Sequence, residues 1–376
     1  MDNLFFEMLR VSLGSRGGLS RVPSASDWER LYELAKEQAI VGILFEGLQW
    51  CMVHNEWCMV NLPLNLKLQW IGEVQIIQQC NREMDEAVVA LCSEMVSECI
   101  QTLVFKGQAL AGIYPDRTLR QSGDIDFYVK KNDWERALNW LKQRVENGEI
   151  DCYEDNTAIK DIQYKCRGTA YEMHRMLVSF STQKHLNYWE NEVVPLIWNN
   201  VAHVKISGYD IPTLPHEINI LYVFVHIFEH LISDGVGLKQ FVDWYYLIEI
   251  ASQARNEESV KVLEKHLRGV GLLKAYSGLG AILTDYLGLP EEKFPFAISE
   301  EDHRQAPKLM KNILKMGNFG HNVEYMQNKG VIHGIQHLGR VYRQARLFGH
   351  YAPAEAWWKL FGFFPWWVKK LWRMVT

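Results

Sequence analysis

Apolar and polar positions recur along this chain with two different periods, and the change from one to the other divides it. Up to about residue 99 the apolar residues return every three or four positions, the spacing of one helix face. Ser26-Asp27-Trp28-Glu29 has the spacing of a capping box, Ser26 accepting from a free backbone N–H and Glu29 reaching back. The helix it opens carries Trp28, Leu31, Leu34 and Ala35 on one stripe, and a longer helix is predicted over about 64–99. The period then falls to two. Leu103-Val104-Phe105 is a strand that stops at Lys106-Gly107; a short helical segment follows, and Gly123-Asp124-Ile125-Asp126-Phe127-Tyr128-Val129 opens a second strand. A helix from Asn132 to about Val145 comes next, then strands over about 158–166 and 169–177 that turn at Arg167-Gly168. Residues 178–214 read as a helix through Trp189 and Trp198 followed by a hairpin around Ser207-Gly208. Beyond Leu214-Pro215 the pattern is helical, with segments after Pro215, over 257–287 and over 300–316. The expectation is an α+β protein. It has N-terminal helices over 1–99 that pack on the core, a mixed α/β unit over 100–214, an all-helical domain over 215–350 and a tail over 351–376.

The second strand carries the first candidate chemistry. Side chains alternate across a strand, so Asp124 and Asp126 share one face while Ile125, Phe127 and Val129 point into a core. Two neighbouring carboxylates each favour protonation of the other unless a cation lies between them, and Mg²⁺ is the usual occupant of an all-oxygen site. Alone, such a string is more often a solvated turn or strand edge. Here the carboxylates open an apolar strand, with Arg120 and Ser122 just upstream where they would hold anionic oxygens. In Ala170-Tyr171-Glu172-Met173-His174 a third carboxylate, Glu172, shares a face with His174, and on a neighbouring strand it would complete a two-metal site with Asp124 and Asp126.

A lysine-glycine turn closing a strand, Tyr114-Pro115 and an arginine, Gly-Asp-Ile-Asp opening a second strand, and a Glu172-x-His174 strand together resemble the uncharacterised nucleotidyltransferase family of the polymerase-beta-type superfold. The resemblance covers about residues 25–250, with its motif core in 103–174. It implies a nucleotidyltransferase-like mixed sheet flanked by helices. Asp124, Asp126 and Glu172 would be catalytic and hold the metal, two Mg²⁺ ions with Mn²⁺ as the substitute. Lys106, Arg120 and Ser122 would handle the triphosphate, Gly107 would allow close backbone approach, and Gly123 and His174 join the substrate-binding set. Classical members carry Gly-Ser where this chain has Lys106-Gly107-Gln108, a departure that resembles the variant turn of abortive-infection-type nucleotidyltransferases. The implied reaction moves a nucleoside monophosphate from an NTP to an unknown acceptor and releases pyrophosphate. The alternative is a non-catalytic nucleotide- or partner-binding module of the same fold.

The helix after Pro215 carries a second constellation. Asn219, Tyr222, His226, Glu229, His230 and Ser233 fall on one stripe, and Leu221, Val225, Phe228 and Ile232 on another. The same family resembles this region too, which would turn His226, His230, Lys239, Gln240 and Asp243 towards the cleft from the helical domain. A rival lies in the same letters: His226-x-x-Glu229-His230 spells the inverted zincin pattern, two zinc ligands and a glutamate that activates water. A zinc metalloprotease leaves Asp124 and Asp126 without a role.

Composition narrows the partners. The net charge is −5, which gives no strong nucleic-acid signal. Seven cysteines, odd in number and without C-x-x-C pairs, suit neither a disulfide framework nor a zinc ribbon and fit a reducing compartment; those of the N-terminal helices read as core positions. The N-terminus lacks the pattern of a signal peptide and no apolar run approaches the roughly 20 residues of a spanning helix, so a cytoplasmic location is expected. Residues 356–376 differ from the rest, with five Trp, three Phe, four Lys or Arg and no acid. Such a segment suits peripheral contact with a membrane interface or packing on the protein or a partner.

Overall fold

The computed structural model describes residues 3–55, 60–154, 160–318 and 331–360. Four helices come first: α1 (Asn3–Ser12), α2 (Ala25–Glu37), α3 (Val41–His54) and α4 (Leu64–Ser97). The mixed region holds β1 (Thr102–Phe105), α5 (Gly107–Ala111), β2 (Ile125–Val129), α6 (Trp134–Glu146), β3 (Cys152–Glu154), β4 (Asp161–Cys166) and β5 (Thr169–His174). Helices α7 (Gln183–Tyr188) and α8 (Val194–Asn199) lead to a hairpin, β6 (Ala202–Ile206) and β7 (Tyr209–Thr213). The remainder is helical: α9 (His216–Leu231), α10 (Leu238–Ala254), α11 (Glu257–Gly269), α12 (Leu273–Ile282), α13 (Glu300–Met316) and α14 (Val331–Phe348).

Local chemistry explains most of these boundaries and corrects several expectations. The capping box of α2 is set by Ser24, whose side chain accepts from the Asp27 N–H while Asp27 accepts from the Ser24 N–H, two residues ahead of the predicted Ser26. Ser26 is instead inside the helix. The run through Trp189 and Trp198 is interrupted by a wider turn at Trp189–Val193, and the predicted 257–287 helix is divided at Gly271, which has φ +70°. The strand β3 was not expected. Cys80 and Cys99 are exposed, against the expectation of core positions; Cys51 is buried, and Cys58 lies outside the described residues.

The sheet has the order β1-β2-β5-β4-β3 among the described residues. β2 and β5 run parallel, and the other pairs are antiparallel. One face, from Val104, Ile125, Phe127, Ile162, Tyr164, Tyr171 and Met173, packs with Met84, Val88, Leu91 and Met95 of α4 and with Ala137 and Leu141 of α6. The opposite face contributes Leu103, Phe105 and Tyr128 to the helical core, alongside Leu221, Tyr222 and Val225 of α9. The 34 residues of α4 join the two cores: Leu66, Trp70 and Val74 belong to the helical one and its second half to the sheet. Helix α9 is buried almost all round from Ile218 to Phe228. The Asn219, Tyr222 and His226 part of its predicted polar stripe is therefore buried.

Candidate active site

The site begins at a backbone conformation that a side chain rarely adopts. Lys106 ends β1 with φ +55° and ψ −142°, a conformation that costs on the order of 1–3 kcal/mol and persists only where its surroundings impose it. Gly107 follows at φ +22°, and a Cβ there would meet the Asp124 carbonyl oxygen at 3.3 Å. This close approach of two backbones turns the Lys106 side chain over the sheet. Its ammonium donates to Asp126 Oδ1 at 2.9 Å and lies over the Phe105 ring at 5.3 Å.

Strand pairing then gathers the acids. Asp126 is paired with Phe105 on one side and Glu172 on the other, so the parallel register between β2 and β5 sets two carboxylates side by side on one face. His174, two residues along β5, returns to that face. Its Nε2 donates to Asp126 Oδ1 at 2.9 Å and lies 3.3 Å from Glu172 Oε2. Gln163 of β4 donates to Glu172 Oε1 at 2.9 Å. One ligand atom each from Asp126, Glu172 and His174 lies within 4.8 Å of the others, the group of metal-ligating side chains that the described residues bring together.

The electrostatics follow from burial opposed by charge. Asp124, immediately before β2, is partly buried; burial first and then the Asp126 and Glu172 carboxylates push it up to about 6. Burial works to raise Asp126 as well, but the Lys106 ammonium and the His174 hydrogen bond outweigh it and hold Asp126 below the ordinary range. Against the effect of burial, the hydrogen bonds to Asp126 and Glu172 raise the His174 imidazole. Burial and then the Arg120 guanidinium push the Lys239 ammonium down to about 8, with Asp124 and Asp126 among the charges it feels.

Several expected site residues are engaged with neighbouring side chains. Arg120 is committed to Asp243, its Nε donating to Oδ1 and its Nη2 to Oδ2, both at 2.8 Å, and its Nη1 to Ser122 Oγ at 3.0 Å. Tyr114 donates to the same Asp243 at 2.5 Å. This buried pair ties the loop before β2 to α10, the helix that carries Lys239. Gln240 donates to Asn318. Gly123 is exposed and a Cβ there would meet nothing within 4 Å, so sterics do not require a glycine at that position.

The histidines of α9 flank the cluster. The Tyr222 and His226 rings are 6.0 Å apart, those of His226 and His230 4.5 Å, and those of Tyr222 and Phe105 5.3 Å. Burial holds both imidazoles neutral, lowering His230 to about 4 and His226 well below the ordinary value, with Lys106 the next cause for His226. Glu229 faces elsewhere. It is paired with Lys160 at 3.1 Å and accepts from Ser179; against burial, Lys160 brings it to about 2. The His226 and His230 rings lie together, but no third His, Cys, Asp or Glu joins them in a metal-binding group among the described residues, and Glu229, the water activator of the inverted zincin pattern, is paired with Lys160 instead.

Sequence reasoning did not select Tyr114, Gln163, Lys160 or Asp161 for the site. Gln163 and Asp161 are on β4, opposite Glu172 and His174, and strand alternation gives their face once that pairing is known. Of the predicted tail, residues 361–376 lie outside the described residues; Ala356 is buried and Trp358 is 57% exposed.

The mixed sheet, its strained lysine turn and the acidic cluster on the face covered by α9 are those expected of a nucleotidyltransferase-like protein. The family model of the uncharacterised nucleotidyltransferases matches residues 24–282, more than half of the chain, and the protein belongs to that family. Among solved structures, an antigenic nucleotidyltransferase-like protein from Paracoccidioides brasiliensis is similar over 54% of this chain and 92% of its own, at 16% identity and a TM-score of 0.35. No curated protein matches. Among the described residues, no helix is long and apolar enough to cross a membrane.

Proposed function

We propose that the protein transfers a nucleoside monophosphate from an NTP to an acceptor, with Mg²⁺ and release of pyrophosphate. The observation that carries this reading is the register of β2 on β5, which sets Asp126 beside Glu172 with Asp124 two residues upstream. The residues present fit a divalent ion: convergent carboxylates are its usual ligands, and Asp126, Glu172 and His174 offer ligand atoms within 4.8 Å of one another. In this reading Asp124, Asp126 and Glu172 hold two divalent ions between them, which would neutralise charge on the triphosphate during in-line displacement.

The chain's own groups supply the rest. Lys239, lowered only to about 8, remains mostly charged at neutral pH and feels the Asp124 and Asp126 charges, which suits it to meet a phosphate. Arg120 and Asp243 act as a buried clamp that positions it. The sheet face and α9 together leave Lys106 only partly exposed, and reduced solvent access strengthens each electrostatic contact there. Cys51, Cys80, Cys92, Cys99 and Cys166 are thiols, which fits the reducing cytoplasm as the setting.

One contact favours a second reading, a nucleotide-binding module without transfer: the Lys106 ammonium already neutralises Asp126 at 2.9 Å. The double variant Asp124→Asn, Asp126→Asn separates the two. Native protein that releases pyrophosphate from an NTP, with turnover lost in a folded double variant, supports transfer. Equal turnover in the variant refutes it, and Mg²⁺-dependent NTP binding by native protein without pyrophosphate release identifies the binding module.

A further inference from the structure

We propose that Asp126, Glu172 and His174 form a site for a divalent first-row transition ion, with the imidazole as a direct ligand and Asp161 as the carboxylate that orients it. The inference deepens the nucleotidyl-transfer reading and rests on it for a purpose in catalysis, but the site is testable with metal alone.

Two independent features of His174 point to ligation. The first is convergence. The side chain is buried to 1% exposure, and a single nitrogen, Nε2, faces both carboxylates, at 2.9 Å from Asp126 and 3.3 Å from Glu172. The second lies at the other end of the ring. Nδ1 is buried without a hydrogen-bond partner among the described residues, and Asp161 Oδ2 is 3.9 Å from it. An imidazole that ligates through Nε2 carries its proton on Nδ1, and a carboxylate that accepts this proton is the usual outer partner of a metal-binding histidine. The pairing of β4 with β5 puts Asp161 directly opposite His174, so a small closure of the 3.9 Å gap completes that contact. The same pairing puts Gln163 opposite Glu172, where it holds Oε1 and leaves Oε2 turned to the histidine.

The donor set decides the class of ion. Mg²⁺ favours oxygen ligands and retained water, whereas imidazole suits the first-row transition ions, whose affinity for nitrogen sites rises from Mn²⁺ onwards. Two carboxylate oxygens and one imidazole nitrogen therefore select a transition ion over Mg²⁺. Asp124 lies outside this group and remains for an oxygen-bound ion carried in with the nucleotide. Lys106 contacts the same Asp126 oxygen as His174, so an ion binds in competition with that ammonium.

The test uses the full-length chain, stripped with a chelator and titrated with MnCl₂ or MgCl₂ in the absence of nucleotide. Free Mn²⁺ is followed by electron paramagnetic resonance, and Mg²⁺ by its competition with Mn²⁺. Mn²⁺ is expected to bind at least about tenfold more tightly than Mg²⁺, and pulsed measurements on bound Mn²⁺ should show coupling to a directly ligated ¹⁴N. His174→Gln should weaken Mn²⁺ at least about tenfold while Mg²⁺ changes less than about threefold; Asp161→Asn should weaken Mn²⁺ by about tenfold. Bound Mn²⁺ without nitrogen coupling, equal affinities for the two ions, or no Mn²⁺ binding would each overturn the proposal. The nitrogen coupling is read on native protein, so a variant that fails to fold does not remove the test. Nitrogen-coupled Mn²⁺ in a protein without NTP turnover overturns only the transfer reading, and turnover with an oxygen-only ion overturns only this one.

Discussion

Asp124→Asn should make the metal-free protein more stable at neutral pH, although it removes a proposed metal ligand. In the folded state, burial and the neighbouring Asp126 and Glu172 carboxylates raise the Asp124 carboxyl from 3.8 to about 6. A group raised on folding contributes stability that is fully present below its unfolded value and is lost as pH rises through the folded one. For Asp124 the loss begins near 3.8 and is complete somewhat above 6. At about 1.4 kcal/mol per tenfold change in proton affinity, the difference between 3.8 and about 6 comes to about 3 kcal/mol. Because Asp124 is partly accessible to solvent, screening reduces the expected gain to about 1–3 kcal/mol. Asparagine keeps the shape and carries no charge, so native and variant protein should have equal stability near pH 3.5 and diverge towards pH 8. Urea unfolding in the presence of EDTA, at matched ionic strength and several pH values, reads this difference directly. Saturating Mg²⁺ should then stabilise the native protein, by about 2.7 kcal/mol at a hundredfold excess over Kd, and stabilise the variant less. A variant no more stable than native protein at pH 8 without metal, or an advantage that is the same at pH 3.5, refutes the electrostatic account.

Asp243→Asn leaves the buried Arg120 guanidinium without a matching charge and should cost about 3–5 kcal/mol in urea unfolding; a loss below about 1 kcal/mol would show that Arg120 finds another partner. Gly42→Ala puts a methyl 2.2 Å from the Leu119 carbonyl oxygen, a backbone atom that cannot swing aside. It should destabilise by about 1–3 kcal/mol and disturb the loop leading to Arg120; an unchanged melting temperature would contradict that contact.

How much of the fold was legible depended on the range of the interactions that decide each element. The strand of Ile125–Val129 was written in its own alternation, and the hairpin β6–β7 in the apolar runs on either side of Ser207-Gly208. The α2 cap was misplaced by two residues because Ser24 and Ser26 both precede an acid at capping distance, and only the backbone path chose Ser24, which has φ −77° and ψ 170°. The short strand β3 has no pattern of its own. It exists because β4 offers it an edge.

The sequence by itself determined the two periods, the lysine-glycine turn and the spacing that puts Glu172 and His174 on one strand face; Asp124, expected on the strand with Asp126, falls just before β2. These are local properties, set by the period of two along a strand and by the few residues that tolerate a positive φ. Tertiary structure decided which faces meet. It placed Asp126 against Glu172 through a parallel register. It set Arg120 in a buried pair with Asp243, 123 residues away, and paired Glu229 with Lys160. Periodicity marks a polar face without saying what it will face, and a charge removed from water settles on whichever opposite charge the packed chain brings within reach.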